Sequence, residues 1–143
     1  MKRFHVNVAV KNLDQSIEFY KTLFGQEPAV IKSDYAKWML EDPRVNFSLN
    51  KASRTCGVDH VGLQADTMEE LGEIQQRLYA AGEKTFEQPD AECCYAHSSK
   101  TWVRDPDAVA WETFVTHKDI THYGDDHGPG QEAGTQRSSR CCA

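Results

Sequence analysis

Long apolar runs are absent: no unbroken stretch exceeds four residues, Leu78 to Ala81 being one example. A bilayer-spanning helix needs about 20 apolar residues, and the start Met1-Lys2-Arg3-Phe4-His5 runs into alternating residues rather than a signal-peptide core. No membrane partner and no export are expected. Positive charge is also scarce. The 16 basic and 22 acidic residues leave a net charge of −6, which repels phosphate backbones and anionic lipid, so no nucleic acid is expected either. Missing too is the two-residue cysteine spacing of a zinc knuckle. The five cysteines are Cys56 and the adjacent pairs Cys93-Cys94 and Cys141-Cys142, an arrangement that argues for reduced thiols in a soluble, cytoplasmic protein.

What is present suffices for one domain. A chain of 143 residues buries about two-thirds of the surface its unfolded form exposes. Composition shifts once, after Val115 or Thr116: residues 117–143 hold four of the nine glycines and little that is apolar. A domain over 1–116 and a mobile tail over 117–143 are expected, with the terminal Cys141-Cys142 pair in that tail.

Within 1–116 one pattern is written twice, 55 positions apart. His5-Val6-Asn7-Val8-Ala9-Val10, then Leu13, Asp14 and Ile17, is echoed by His60-Val61-Gly62-Leu63-Gln64-Ala65, then Met68, Glu69 and Leu71. Each copy alternates as a strand and continues as a helix: Leu13, Ile17, Tyr20 and Phe24 up to Gly25, and Leu71, Ile74 and Leu78 up to Gly82. Thr67 with Glu70 has the capping-box spacing. Three short strands are expected after each helix: Glu27–Lys32, Tyr35–Glu41 and Val45–Lys51, then Lys84–Glu87, Tyr95–Val103 and Ala108–Val115. Asp42-Pro43 and Asp105-Pro106 punctuate the same turn in both. The expected class is α+β, two tandem βαβββ modules (about 3–51 and 57–116) forming one incompletely closed barrel with a shared cleft.

That repeat places His5 and His60 at the same position of each module's first strand, away from the branched-aliphatic helix-packing face, and so into the cleft together. On the last strand, alternation separates Glu112 from Trp111. Two histidines and a carboxylate from three strands make a facial triad that holds a divalent metal and keeps positions open. Cys93-Cys94 is the second carrier of chemistry. Sulfurs of adjacent residues grip one atom only from a loop or irregular turn, which Pro89 and Asp90 are expected to supply. Two thiolates then suit one soft centre. His97 and Lys100 are further candidates, as an acid or base and as a support for an anionic oxygen intermediate; their ordinary fates are solvation and surface exposure, as Tyr20's is the core.

These residues resemble the vicinal oxygen chelate superfamily, the glyoxalase and extradiol dioxygenase group, over roughly 3–116, with His5, His60 and Glu112 at ligand positions. A fourth ligand, as in glyoxalase I, falls near Ser48, and serine is a poor one, which favours an open triad. Asn12-Leu13-Asp14-Gln15-Ser16-Ile17-Glu18-Phe19-Tyr20, Tyr35-Ala36-Lys37-Trp38, Gly57-Val58-Asp59-His60-Val61-Gly62 and Cys93-Cys94-Tyr95-Ala96 resemble the carbon–arsenic lyases of this group, and the related cadmium-induced proteins share much of the pattern. The resemblance implies Fe(II) at the triad, O2 as co-substrate, a small trivalent organoarsenical held by Cys93 and Cys94, and arsenite as product. The competing readings are a fosfomycin-type thiol transferase and a protein that sequesters a metalloid or drug without turnover. Oligomeric state, the preferred organic substituent and any role of Cys56 stay open.

Overall fold

The computed structural model describes residues 1–52, 55–119 and 121; the expected tail beyond these, with Cys141 and Cys142, lies outside the described residues. The first module runs β1 (Arg3–Val10), α1 (Leu13–Phe24), β2 (Val30–Ile31), β3 (Tyr35–Glu41) and β4 (Arg44–Lys51). The second runs β5 (Gly57–Gln64), α2 (Met68–Ala80), β6 (Phe86–Cys93), β7 (Ala96–Arg104) and β8 (Ala110–Asp119). This is the expected βαβββ pattern, twice.

Local chemistry explains the helices. The Asn12 side chain caps α1 by accepting from the Gln15 amide, and Gly25 closes it in the left-handed region at φ 63°. Thr67 accepts from the Glu70 amide at the start of α2, while the Glu70 carboxylate reaches back to the Asp66 amide. Leu13 and Ile17 bury against Val10, Trp38, Phe47 and Leu49, with Tyr20 and Phe24 packed on the same cluster. The second helix buries Leu71 against Ala65 and Val115.

All eight strands form one sheet ordered β2-β3-β4-β1-β5-β8-β7-β6. Each module's first strand pairs in parallel with its last, β1 with β4 and β5 with β8, and the modules join through antiparallel β1 and β5. Residues that pack on helices leave the other face of the curled sheet to line a shared cleft.

Three strands depart from expectation. Only Val30–Ile31 of the Glu27–Lys32 segment joins the ladder, because Pro28 has no amide to donate. The segment expected at Lys84–Glu87 is the longer β6, carried past Pro89 and Asp90 by a register shift between Gln88 and Ala91. The last strand begins at Ala110 rather than Ala108, which has φ 68°, and continues to Asp119, where Ala96 and His97 pair with Asp119 and Lys118. His117 to Asp119, expected in the tail, therefore belong to the sheet.

Gly62 fixes how closely the modules' chemistry approaches. It pairs with His5 on one side and with Glu112 on the other, and a Cβ there would lie 1.8 Å from the Glu112 carbonyl oxygen. No other residue type fits at that level without moving β8.

Candidate metal centre and thiol turn

Register builds the centre. His5 pairs with Gly62 and Asn7 with His60, so the two histidines are diagonal neighbours on one face of the ladder. Glu112 lies beside Gly62 on the next strand. The three side chains are buried, with His60 at 0% and Glu112 at 2% exposure, and their donor atoms converge. His5 Nε2 and His60 Nε2 are 3.1 Å apart, and each is 3.4 Å from Glu112 Oε2.

The outer nitrogens decide the chemistry of the inner ones. His5 Nδ1 donates to the Asn46 carbonyl oxygen at 3.1 Å, and His60 Nδ1 donates to Asp59 Oδ2 at 2.9 Å. Both Nε2 atoms are then lone-pair acceptors facing a third acceptor, Oε2. Three acceptors turned on one another need a cation among them, and metal-bound histidines characteristically donate their other nitrogen to a carboxylate or carbonyl. Bonds of about 2.1 Å to such a metal set neighbouring ligand atoms about 3 Å apart, which matches this triangle. The residues fit a divalent metal.

Ionisation agrees with that fit at His5 and Glu112, while His60 gains proton affinity from its two carboxylate neighbours. Burial drops the His5 pKa to about 4 against the pull of Glu112, leaving a neutral ring. At His60 burial acts in the same direction but is outweighed by Asp59 and Glu112, and the pKa rises. Burial also opposes ionisation of Glu112, yet Lys100 and both histidines hold its carboxyl well below the usual range.

Lys100, expected to be a surface residue in its ordinary fate, is buried and donates from Nζ to Glu112 Oε1 at 2.6 Å. One carboxylate oxygen is thereby occupied, and the other faces the histidines. His97 does not share this site. It sits on the opposite face of β7, paired to Asp90 and against the His117 ring. Ser48 is held by Asn7, whose Nδ2 donates to its Oγ at 2.8 Å, and it bonds Tyr35 as well. The ladder sets Asn46, not Ser48, beside His5. Asn46 Oδ1 is buried without a hydrogen-bond partner among the described residues, a feature that strand register shows and composition does not.

The thiols sit on a tighter element than the Pro89-Asp90 loop expected for them. Cys93 ends β6 and Ala96 begins β7, so Cys94 and Tyr95 are the whole turn, at φ 55° and 61°. Positive φ at both positions suits a two-residue hairpin but strains non-glycine residues by about 1–3 kcal/mol each. Sγ atoms of Cys93 and Cys94 are 2.9 Å apart. Cys56 and Cys93 are free as expected, whereas Cys94 is disulfide-bonded. Oxidation at that sulfur corrects the expectation of reduced thiols throughout.

Tyr95 ties the turn to the first module. Its hydroxyl donates to Asp34 Oδ1 at 2.7 Å, its ring lies 5.9 Å from that of Tyr35, and Lys32 Nζ is 5.2 Å from the ring centre. The result is one cavity with Cys93 and Cys94 at one part of the wall and His5 and Glu112 at another, enclosing about 400 Å³ of non-protein space, part of it open to solvent. Lys37, also in that wall, was not singled out from the sequence, although Ala36 and Trp38 pack toward α1 and alternation turns Lys37 the other way.

Comparisons agree with the fold. The model of the Glyoxalase/Bleomycin resistance protein/Dioxygenase superfamily matches residues 2–113. A Bacillus subtilis (strain 168) protein named "Probable trivalent organoarsenical cleaving enzyme" is 40% identical, over 99% of this chain and 91% of its own. The "Trivalent organoarsenical cleaving enzyme" of Bacillus sp. (strain MD1) is 44% identical over 81% of this chain and 74% of its own. A cadmium-induced protein of Mycobacterium bovis is 30% identical over 99% and 93%. Among solved structures, a Mn(II)-bound glyoxalase from Novosphingobium aromaticivorans superposes with TM-score 0.60 at 20% identity, covering 90% of this chain and 44% of that one. An extradiol ring-cleaving dioxygenase from B. fuscum does so with TM-score 0.62 at 16% identity, covering 82% and 33%.

Proposed function

The chain belongs to the Glyoxalase/Bleomycin resistance protein/Dioxygenase superfamily, and on that premise we propose that it cleaves the carbon–arsenic bond of trivalent organoarsenicals and releases arsenite. The observation that carries this reading is the shared cavity, whose wall holds two adjacent sulfurs and two members of an acceptor triad. Relatives at 40% and 44% identity bear names for that activity.

Capture belongs to the thiols. Once the Cys94 disulfide is reduced, two thiols replace the two hydroxyls of an arsonous acid, two waters leave, and arsenic keeps its bond to carbon. Reducing conditions are therefore required, which places the reaction in the cytoplasm. The hairpin, tied through Tyr95 to Asp34, holds that carbon over the triad. Fe(II) held by His5, His60 and Glu112 would supply open positions for dioxygen, the oxidant. Lys100 keeps Glu112 ionised and turns a single oxygen, Oε2, toward the histidines. Phe114 packs edge-on against the His5 ring at 5.2 Å and Trp102 against the His60 ring at 5.1 Å, excluding water from the far sides of both ligands.

The test is anaerobic, reduced protein with Fe(II) and methylarsenite, followed for arsenite after oxygen is admitted. Release is expected from the wild type and is lost on stripping the metal or in Cys93→Ser and Cys94→Ser. Tight binding without arsenite would make the protein a sequesterer, and glutathione-dependent loss of fosfomycin would make it a thiol transferase.

A further inference from the structure

On this reading, arsenic bound to Cys93 and Cys94 carries no oxygen of its own. Any oxygen left on the bound substrate belongs to the organic group. The cavity wall nevertheless holds two donors that neither the triad nor the thiols use. Lys37 is half-buried and makes no hydrogen bond or contact ion pair among the described residues, with only the more distant Asp119 carboxylate acting on it. Ser98 Oγ lies in a side chain 2% exposed and is likewise without a hydrogen-bond partner.

Their placement is specific. Lys37 pairs with Ser48, which pairs with Asn7, two residues along the strands from the level where Asn46 pairs with His5. Ser98 comes from the opposite wall, paired with Thr116 on β8. The rings of Tyr35 and Phe114 line the space between them. Lys100, the other cation of the wall, is already matched by Glu112 at 2.6 Å, so Lys37 is the charge still open to a ligand.

We propose that Lys37 and Ser98 form a subsite for an oxygen-bearing substituent of the organic group, and that aromatic arsenicals carrying such an oxygen are the substrate class preferred over methylarsenite. This deepens the proposed function and rests on it. A methyl group leaves both donors unpaired in a partly dry cavity, and unpaired buried donors are what make a site reject an analogue that lacks the acceptor. An aryl group offers a face to Tyr35 and Phe114 and carries its oxygen out toward the donors.

The experiment measures binding, not turnover. Metal-free, reduced protein is titrated with phenylarsonous acid and with 4-carboxyphenylarsonous acid, following tryptophan fluorescence, with methylarsonous acid as a third probe. Arsenic–sulfur bonding is common to both aryl probes, so their affinity ratio isolates the carboxylate. Wild type is expected to favour the carboxyphenyl probe by about 10-fold or more, well short of the limit for fully buried polar sites. In Lys37→Met the ratio falls to near one, in Lys37→Arg most of it survives, and in Ser98→Ala it drops in part. A wild-type ratio near one, or one that Lys37→Met leaves intact, overturns the subsite. Arsenicals that bind the wild type no better than the Cys93→Ser, Cys94→Ser variant overturn the proposed function and the subsite with it. Tight binding with no arsenite released under air overturns cleavage alone, and the ratio still decides the subsite.

Discussion

At the scale of single residues the centre is three acceptors and the groups that aim them. Because each histidine spends its Nδ1 proton outward, removing any one ligand leaves two weak donors. His5→Ala, His60→Ala and Glu112→Ala should each lose bound iron under conditions that saturate the wild type, with affinity down by more than the ~10–100-fold that outer-shell changes alone cost. Ser48→Ala, already committed to Asn7 and Tyr35, should keep it. Metal analysis after desalting decides, and full iron in Glu112→Ala would sink the triad. Lys37 makes a separate prediction, about pH. Burial lowers its pKa below 10.5, with Asp119 opposing, so its charge disappears as pH rises through the lowered value. Its other charged neighbours, Lys100 and Glu112, form a pair, and the carboxyphenyl probe stays ionised throughout. The carboxyphenyl-to-phenyl affinity ratio should therefore fall as pH rises, with its midpoint below 10.5. Persistence above pH 11 would remove Lys37 as the cause. The triad was legible in the sequence because equivalent positions in a repeat share a face. Lys100's burial and Lys37's idle ammonium were not, since both depend on which strand lies opposite.

At the scale of elements, close approach of β5 to β8 brings a carboxylate to two histidines. Gly62→Ala puts a methyl group onto the Glu112 backbone carbonyl, and the rigid ladder on both sides leaves no room for the clash to be absorbed locally. A cost of about 1–3 kcal/mol, as for other overpacked sites, is expected in urea unfolding, with loss of iron binding as β8 shifts. Iron affinity and stability both at wild-type levels would show that β8 yields freely. The twice-written strand–helix–three-strand succession was readable from the repeat, and β3 occupies the segment its alternation marked. The thiol hairpin was misplaced by sequence because Pro89 and Asp90 read as a loop; a bulge admits both into β6 and moves the turn to Cys94 and Tyr95, residue types that carry no turn signal. The end of β8 was missed for a similar reason: His117, Lys118 and Asp119 are polar, yet Ala96 and His97 supply ladder partners.

At the scale of the whole molecule the acceptor triad spans the seam between modules, so a metal bound there would fasten them together. His5 belongs to the first module, His60 and Glu112 to the second, and β1 pairing with β5 is the seam of the sheet. A metal that binds this triangle binds only the folded chain, because unfolding scatters ligands 55 and 52 residues apart in sequence. Linkage then fixes the size of the effect: free metal at 100 times its dissociation constant stabilises by about 2.7 kcal/mol. For a chain of this length that corresponds to a rise of roughly 10 °C in melting temperature. The increment should grow with the logarithm of Fe(II) concentration under anaerobic conditions and vanish in His5→Ala as in Glu112→Ala, which remove ligands from opposite sides of the seam. If His5→Ala kept the full increment, the ion would be held within the second module alone, and the two modules would be joined by their strands and not by the centre they share.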